Sequence, residues 1–301
     1  MTRSDWHAAN RRYLMVALGV VRAALAEDAA GVEAARAARE EADRALPDPA
    51  ALHLVEEAFG LSGFERDVLL MCIGQDLDPS FAEVCPAPTF GAALAALPGA
   101  HWSALTPEAP LRRWRLIALG DGPALTARPL RAAESVLHTL AGAPSLDACL
   151  HGIAAPLPPA DSLTPTHRRA AERAARAIDA TKEGHLPSVV HLAGADPAAR
   201  QEVAAAACDS LGALLYALDA RDIPTDPEER AGLARLWERD ARLLGSALLI
   251  ECDRLPPDRL ATLDAFLRQL DAWVLLSAPD LLPLDSRRTL LRLPLDSPPP
   301  V

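Results

Sequence analysis

The sequence predicts a two-part chain of α/β plus mainly α class. A mainly helical first half is followed by a three-layer α/β domain on a five-stranded parallel sheet. Three observations predict it. After about residue 160, short uninterrupted apolar runs at 189–193, 213–218, 247–251, 273–277 and 289–293 alternate with helix-length stretches. Strands that apolar are buried on both faces, as in parallel sheets covered by helices. Before residue 150, apolar residues instead recur at spacings of three and four, and only one short region alternates with β-formers. The length of 301 residues suffices for two cores.

Residues 1–48 read as a helical arm, with Leu14, Leu18, Val21 and Leu25 on one face and Asp5 as its N-cap. Gly31 is expected to break it in two, and the second helix, 32–46, stops at Pro47-Asp48-Pro49. Residues 49–155 form the second part, with helices at 51–59, 63–73 and 90–97. A strand at 114–119 follows, then a turn at Gly120-Asp121-Gly122, a return strand at 124–129 and a helix at 132–140. Helices, a small hairpin and a further helix resemble a winged-helix domain. The proline-rich stretch 155–159 reads as a linker. In the third part, 160–296, Thr164 caps a helix over 166–181 with Pro165 at its first position. Helices at 197–211, 227–244 and 258–270 separate the five strands.

Composition narrows the function. The net charge of −11 and pI of about 5.2 disfavour general nucleic-acid binding, because an acidic chain repels phosphate. Arg112, Arg113, Arg115, Arg128 and Arg131 gather around the expected hairpin, yet residues 79–97 contain no Lys or Arg for a recognition helix. Protein contact is therefore the better reading of the winged-helix-like part. Five cysteines without C-x-x-C spacing point to free thiols in a reducing compartment, and Cys208 on an apolar helix side to a buried structural thiol. The eight histidines form no metal-ligand pattern. The dispersed tryptophans suit core or interface anchors. With no membrane-length apolar run and no signal-peptide pattern, a cytoplasmic location is expected.

The most informative segment follows the strand at 189–193. A working phosphate loop is G-x-x-x-x-G-K-[ST], whose backbone and lysine cradle the phosphates while the hydroxyl holds Mg²⁺. Here Gly194 keeps the first position, but Ala199, Arg200 and Gln201 stand at the others, and the sole lysine, Lys182, lies before the strand. Arg is planar and bulkier than the compact lysine ammonium, and Asp196 adds negative charge to the loop. An ATPase fold without an ATPase site is the expectation.

Order and spacing over about 130 residues resemble the large subdomain of AAA+ ATPases, a P-loop family. The resemblance implies an apolar strand ending in Asp-Glu. Here those positions read Glu251-Cys252, with Asp253 next, so the water-orienting carboxylate is replaced by a thiol. It also implies a polar residue at the end of the fourth strand, where Ser277 stands, and an arginine reaching a neighbour's γ-phosphate in trans, for which Arg287 and Arg288 are the candidates. Helical arm, winged-helix-like domain and degenerate module together resemble the N-terminal half of the tandem-module AAA+ proteins encoded with phage-tail-like contractile injection systems. The stretches that carry this are Leu69-Leu-Met-Cys-Ile73, His101-Trp-Ser-Ala-Leu-Thr-Pro107, Leu111-Arg-Arg-Trp-Arg-Leu-Ile117 and Ala241-Arg-Leu-Leu-Gly-Ser-Ala-Leu-Leu-Ile250. In that family the second module carries the intact motifs. The resemblance therefore implies a fragment or short relative lacking the helical lid and second module, and not an ATP hydrolase by itself. Its partners would be a second ATPase module and other subunits of a ring, with no nucleic acid and no membrane. No cofactor is expected, and ATP with Mg²⁺ at most weakly. Two alternatives stand: an ATP-binding enzyme with a non-standard site using Arg200, Glu251 and Ser277, and a winged-helix DNA-binding regulator.

Overall fold

The computed structural model describes residues 3–160, 162–179, 189–284 and 289–295. Arg287 and Arg288, proposed as trans arginines, lie outside the described residues, as does Lys182. The chain divides into two compact units, residues 1–145 and 146–301.

In the first unit, α1 (Arg3–Leu25) buries Tyr13, Leu14, Ala17, Leu18, Val20 and Val21. Asp5 lies inside its first turn rather than at its N-cap, where its charge still complements the helix dipole. The chain breaks before Gly31, not at it. Glu27 takes a left-handed φ of 56°, and Asp28 caps α2 (Ala29–Arg44) by accepting the Gly31 N–H at 2.9 Å. Next come α3 (Ala51–Phe59) and α4 (Gly63–Leu77). A capping box of Ser62 and Glu65 opens α4, which runs four residues past the expected end at 73 and is buried without interruption from Asp67 to Gly74. At Gly74 the ring of Phe81, from α5 (Phe81–Val84), lies where a Cβ would approach within 2.5 Å, so only glycine admits this packing.

Then follow α6 (Phe90–Ala96), capped by Thr89, and α7 (Pro110–Arg113). An antiparallel pair forms between β1 (Ile117–Leu119) and β2 (Leu130–Ala132), with α8 (Glu134–Leu140) after it. The return strand thus begins at 130, after the expected 124–129. Residues 125–127 turn as a 3₁₀ helix, and Leu130 is the first to donate into a neighbouring segment, at Pro88 O, 2.8 Å away. Buried Asn10 donates to Leu140 O (3.0 Å) and accepts the otherwise orphaned Ala51 N–H (2.8 Å). That side chain ties α1 to both α8 and α3, so the expected separate arm at 1–48 belongs to one compact unit with the helices after it.

The second unit holds a six-stranded, mostly parallel sheet. Its elements are β3 (Ala154–Leu157), α9 (Pro165–Asp179), β4 (Val189–Ala193), α10 (Pro197–Asp209) and β5 (Leu214–Asp219). They continue with α11 (Pro227–Leu244), β6 (Ser246–Glu251), α12 (Leu260–Leu267), β7 (Val274–Ala278) and β8 (Leu290–Pro294). The strand order is β3-β5-β6-β7-β4-β8, all parallel except β3, which runs antiparallel to β5. The expectation of five strands therefore misses one. Residues 154–157, read as domain end and linker, form an edge strand, a place where Pro156 is tolerated because it needs no ladder donor. Val190, Leu192, Leu249 and Leu275 pack with α9 and α10 on one face. Leu248, Ile250, Val274 and Leu276 pack with Trp237 of α11 and Phe266 of α12 on the other. The expected helix at 258–270 is shorter, a 3₁₀ turn at Pro257–Arg259 followed by α12.

Three consecutive charged residues of α11 are buried and each is spent on backbone or ion pairing. Glu238 Oε1 accepts the N–H groups of Asp271 (2.7 Å) and Ala272 (2.5 Å), just before β7. Arg239 bridges Asp240 (2.8 Å) and Asp147 (2.5 Å), and Asp240 accepts the Asp147 N–H (2.6 Å). Burial raises the Asp240 carboxyl even with Arg239 beside it. Burial would also raise Asp147, but hydrogen bonds from Cys149 and Arg239 outweigh it and hold that carboxyl below its usual range.

Candidate functional site at the carboxyl ends of the strands

In an open α/β sheet, ligands bind beyond the carboxyl ends of the strands, where successive connections depart in opposite directions. Here that point is β4. The chain leaves β4 for β5 on one side, returns through β6 and β7, and crosses to β8 on the other side. Gly194 follows β4, Glu251 ends β6, and Ser277 sits near the end of β7, so the topology brings the sequence candidates to one place.

The geometry there is inward-facing. Gly194 donates its N–H to Ala278 O (3.2 Å), and a Cβ on it would come within 2.9 Å of Leu295 O. Its glycine is thus required by backbone approach within the protein. The N-terminus of α10 is already served: Asp196 accepts the Ala198 N–H at 3.0 Å. Pro197, the first helical residue, has no N–H to offer. A helix N-terminus attracts anions through its free donors and dipole, and here a carboxylate of the chain itself occupies that position.

Arg200 lies in the first turn of α10 and is completely buried. Its Nε donates to Ser277 Oγ at 2.8 Å. Its two terminal nitrogens bond the carbonyl of Gly194 and the carboxylate of Asp253. A buried guanidinium is tolerable only when paired and hydrogen-bonded, and each nitrogen here has found a partner. Beside it, Gln201 donates to Glu251 Oε1 at 2.5 Å. Ala199 is buried without polar function. Cys252 is buried too, its thiol pushed up to about 12 by desolvation and by the neighbouring Asp253, Asp219 and Glu251 carboxylates, so it is neither a base nor a nucleophile at neutral pH. The structure thus brings Gly194, Arg200, Gln201, Glu251 and Ser277 together. The residue whose role sequence reasoning missed is Asp253: its ion pair with Arg200 spans 53 positions and has no local signal.

Mg-ATP does not fit this arrangement. The atoms that would face phosphate or metal bond one another, the helix donor is capped by Asp196, and the loop offers no lysine. Breaking a buried ion pair by removing one partner costs about 3–5 kcal/mol, and a nucleotide would have to displace Arg200 against such a term.

Elsewhere the candidates separate. Arg113, Arg115, Arg128 and Arg131 are exposed around the β1–β2 pair. Arg113 stacks 5.0 Å from the Trp114 ring centroid, Arg115 takes a left-handed φ of 51°, and Arg112 is held by Leu105 O at 2.6 Å. Trp237 is core, whereas Trp102 is 62% exposed. Cys208 is fully buried, its thiol raised to about 12 by desolvation. Among the described residues, no His, Cys, Asp or Glu group of three or more gathers to hold a metal, and no helix is long and apolar enough to cross a membrane. The chain matches no protein-family model and no curated protein, so the geometry of this site carries the functional argument by itself.

Proposed function

We propose that the second unit is a degenerate, non-hydrolysing AAA+-type P-loop domain acting as a rigid scaffold for protein contacts. The observation that carries this reading is the fully buried Arg200, bonded to Ser277, Gly194 O and Asp253. In a phosphate-loop ATPase these positions serve nucleotide; here they brace one another. The central place of β4, with the Ser277 strand beside it and the Glu251 strand next, supports the P-loop reading of the sheet. In this proposal the first unit is the winged-helix-like docking part, and its exposed Trp102 and hairpin arginines suit protein contact, since Trp and Arg dominate interface energetics. Its setting is the tandem-module AAA+ proteins of contractile injection systems, and its partners are an active ATPase module and neighbouring ring subunits.

Mg-ATP titration by calorimetry and thermal shift, with ADP as control, tests the scaffold reading. A ligand that binds only the folded state must stabilise it. The expected result is neither heat nor a thermal shift at millimolar nucleotide. Saturable binding that Arg200→Ala abolishes would overturn the scaffold and favour an enzyme with a non-standard site.

A further inference from the structure

The first unit contains a cavity of about 490 Å³ between α1, α2, α4 and the end of α6. That volume lies in the range of small-ligand sites, about 300–1,000 Å³. Its apolar wall comes from Val20, Val32, Leu97 and Pro98. Its charged lining is one-sided: Glu27, Asp28, Glu33 and Asp67 against Arg36 alone. Two of those carboxylates are committed. Asp28 caps α2 through the Gly31 N–H, and Glu33 pairs with Arg36 at 2.9 Å.

Asp67 is different. It is only 3% exposed, yet it lines the cavity. Arg66 engages its Oδ1 at 2.7 Å, and its Oδ2 accepts no hydrogen bond from any described residue. Burial raises this carboxyl against the opposing pull of Arg66, Arg39 and Arg36. At the cavity's other lining, Glu27 likewise has no side-chain partner among the described residues. A carboxylate oxygen without a hydrogen-bond donor, on a residue that lines a partly apolar cavity, suits a cation that carries its own hydrocarbon.

We propose that this cavity binds an organic cation, an aliphatic stem ending in a guanidinium or ammonium group. The cationic head meets Asp67 Oδ2 and the stem lies along Val20, Val32 and Leu97. A free amine and the arginine side chain of a protein partner share this chemistry. The proposal stands independently of the scaffold reading of the second unit.

The test is calorimetric titration of the full chain with agmatine, with spermidine, and with an acetyl-Ala-Arg-Ala-amide peptide. Saturable binding is expected, weakened tenfold or more by Asp67→Asn. Val32→Phe, which fills the cavity and leaves Asp67 intact, is expected to weaken it comparably, while Glu108→Gln on the exposed surface leaves it unchanged. Tighter binding of agmatine or spermidine supports the proposal with a free amine as ligand, and tighter binding of the peptide supports it with a partner's side chain. No saturable binding by any of the three overturns the proposal. So does binding that Asp67→Asn and Val32→Phe leave unchanged, which is surface attraction only.

Discussion

His191 offers a quantitative test of the packing in the second unit. It sits on β4, is fully buried, and neither ring nitrogen has a hydrogen-bond partner among the described residues. In the sheet it is flanked by Leu276 and Arg292. Desolvation, with a smaller repulsion from Arg292, lowers its pKa from 6.5 to about 4. The native state therefore holds it neutral, whereas the unfolded chain protonates near 6.5. A depressed histidine contributes its full stability above pH 6.5 and loses it as pH falls from 6.5 towards 4. At about 1.4 kcal/mol per pH unit the whole loss is roughly 3 kcal/mol, of which roughly 2 kcal/mol is gone by pH 5. Urea denaturation from pH 7.5 to 4.5, wild type against His191→Leu, measures it. Buried carboxylates with raised values, such as Asp240, act with the opposite sign. They are common to both proteins and cancel in the difference. His191→Leu is expected to match or exceed wild type at pH 7.5, since it removes an unsatisfied polar group. Its advantage should widen by roughly 2 kcal/mol at pH 5. Parallel stability curves would refute a neutral, desolvated histidine at this place in the sheet.

Two further outcomes follow from buried charge and buried thiols. Arg239→Leu strands Asp147 and Asp240 and should cost about 3–5 kcal/mol by denaturant titration, with part recovered when Asp147→Asn and Asp240→Asn are added. In native protein at pH 7.5, maleimide should modify exposed Cys149 and spare Cys208 and Cys252; mass mapping showing either buried thiol modified as fast as Cys149 contradicts their placement.

Much of the second unit was legible because strand burial and helix caps are local signals. Val189–Ala193 is apolar throughout, as a two-sided buried strand must be. Asp226 and Pro227 open α11 and Gly245 closes it, so both ends of that helix match the expected 227–244. What failed was less local. Pro156 disguised an edge strand as a linker, because proline signals a loop unless the neighbouring strand is known. Gly31 suggested a helix break, whereas Asp28 three residues earlier supplied the cap. At the candidate site, phosphate-loop spacing picked out Gly194, Arg200 and Gln201, and the AAA+ resemblance implied Glu251 and Ser277 beside them. Neither revealed that they satisfy one another, since that depends on Asp253 and on the absence of room around a buried guanidinium. The cavity beside Asp67 was illegible for the same reason: α4 and the end of α6, distant in sequence from the α1–α2 pair, complete its lining.

The mutual bonding around Arg200 also fixes which mutational steps are open to this chain. Arg200→Lys alone shortens the reach and loses the fork that holds Ser277, Gly194 O and Asp253 at once, so its first effect is a weaker fold. It leaves Pro197 without an N–H, Asp196 across the helix end, and Cys252 where the AAA+ resemblance implies a carboxylate. Each repair is costly or neutral until the others are present. On the proposed scaffold reading, a single-substitution path to a phosphate-handling site therefore gains nothing at its early steps and loses stability at the Arg200 step.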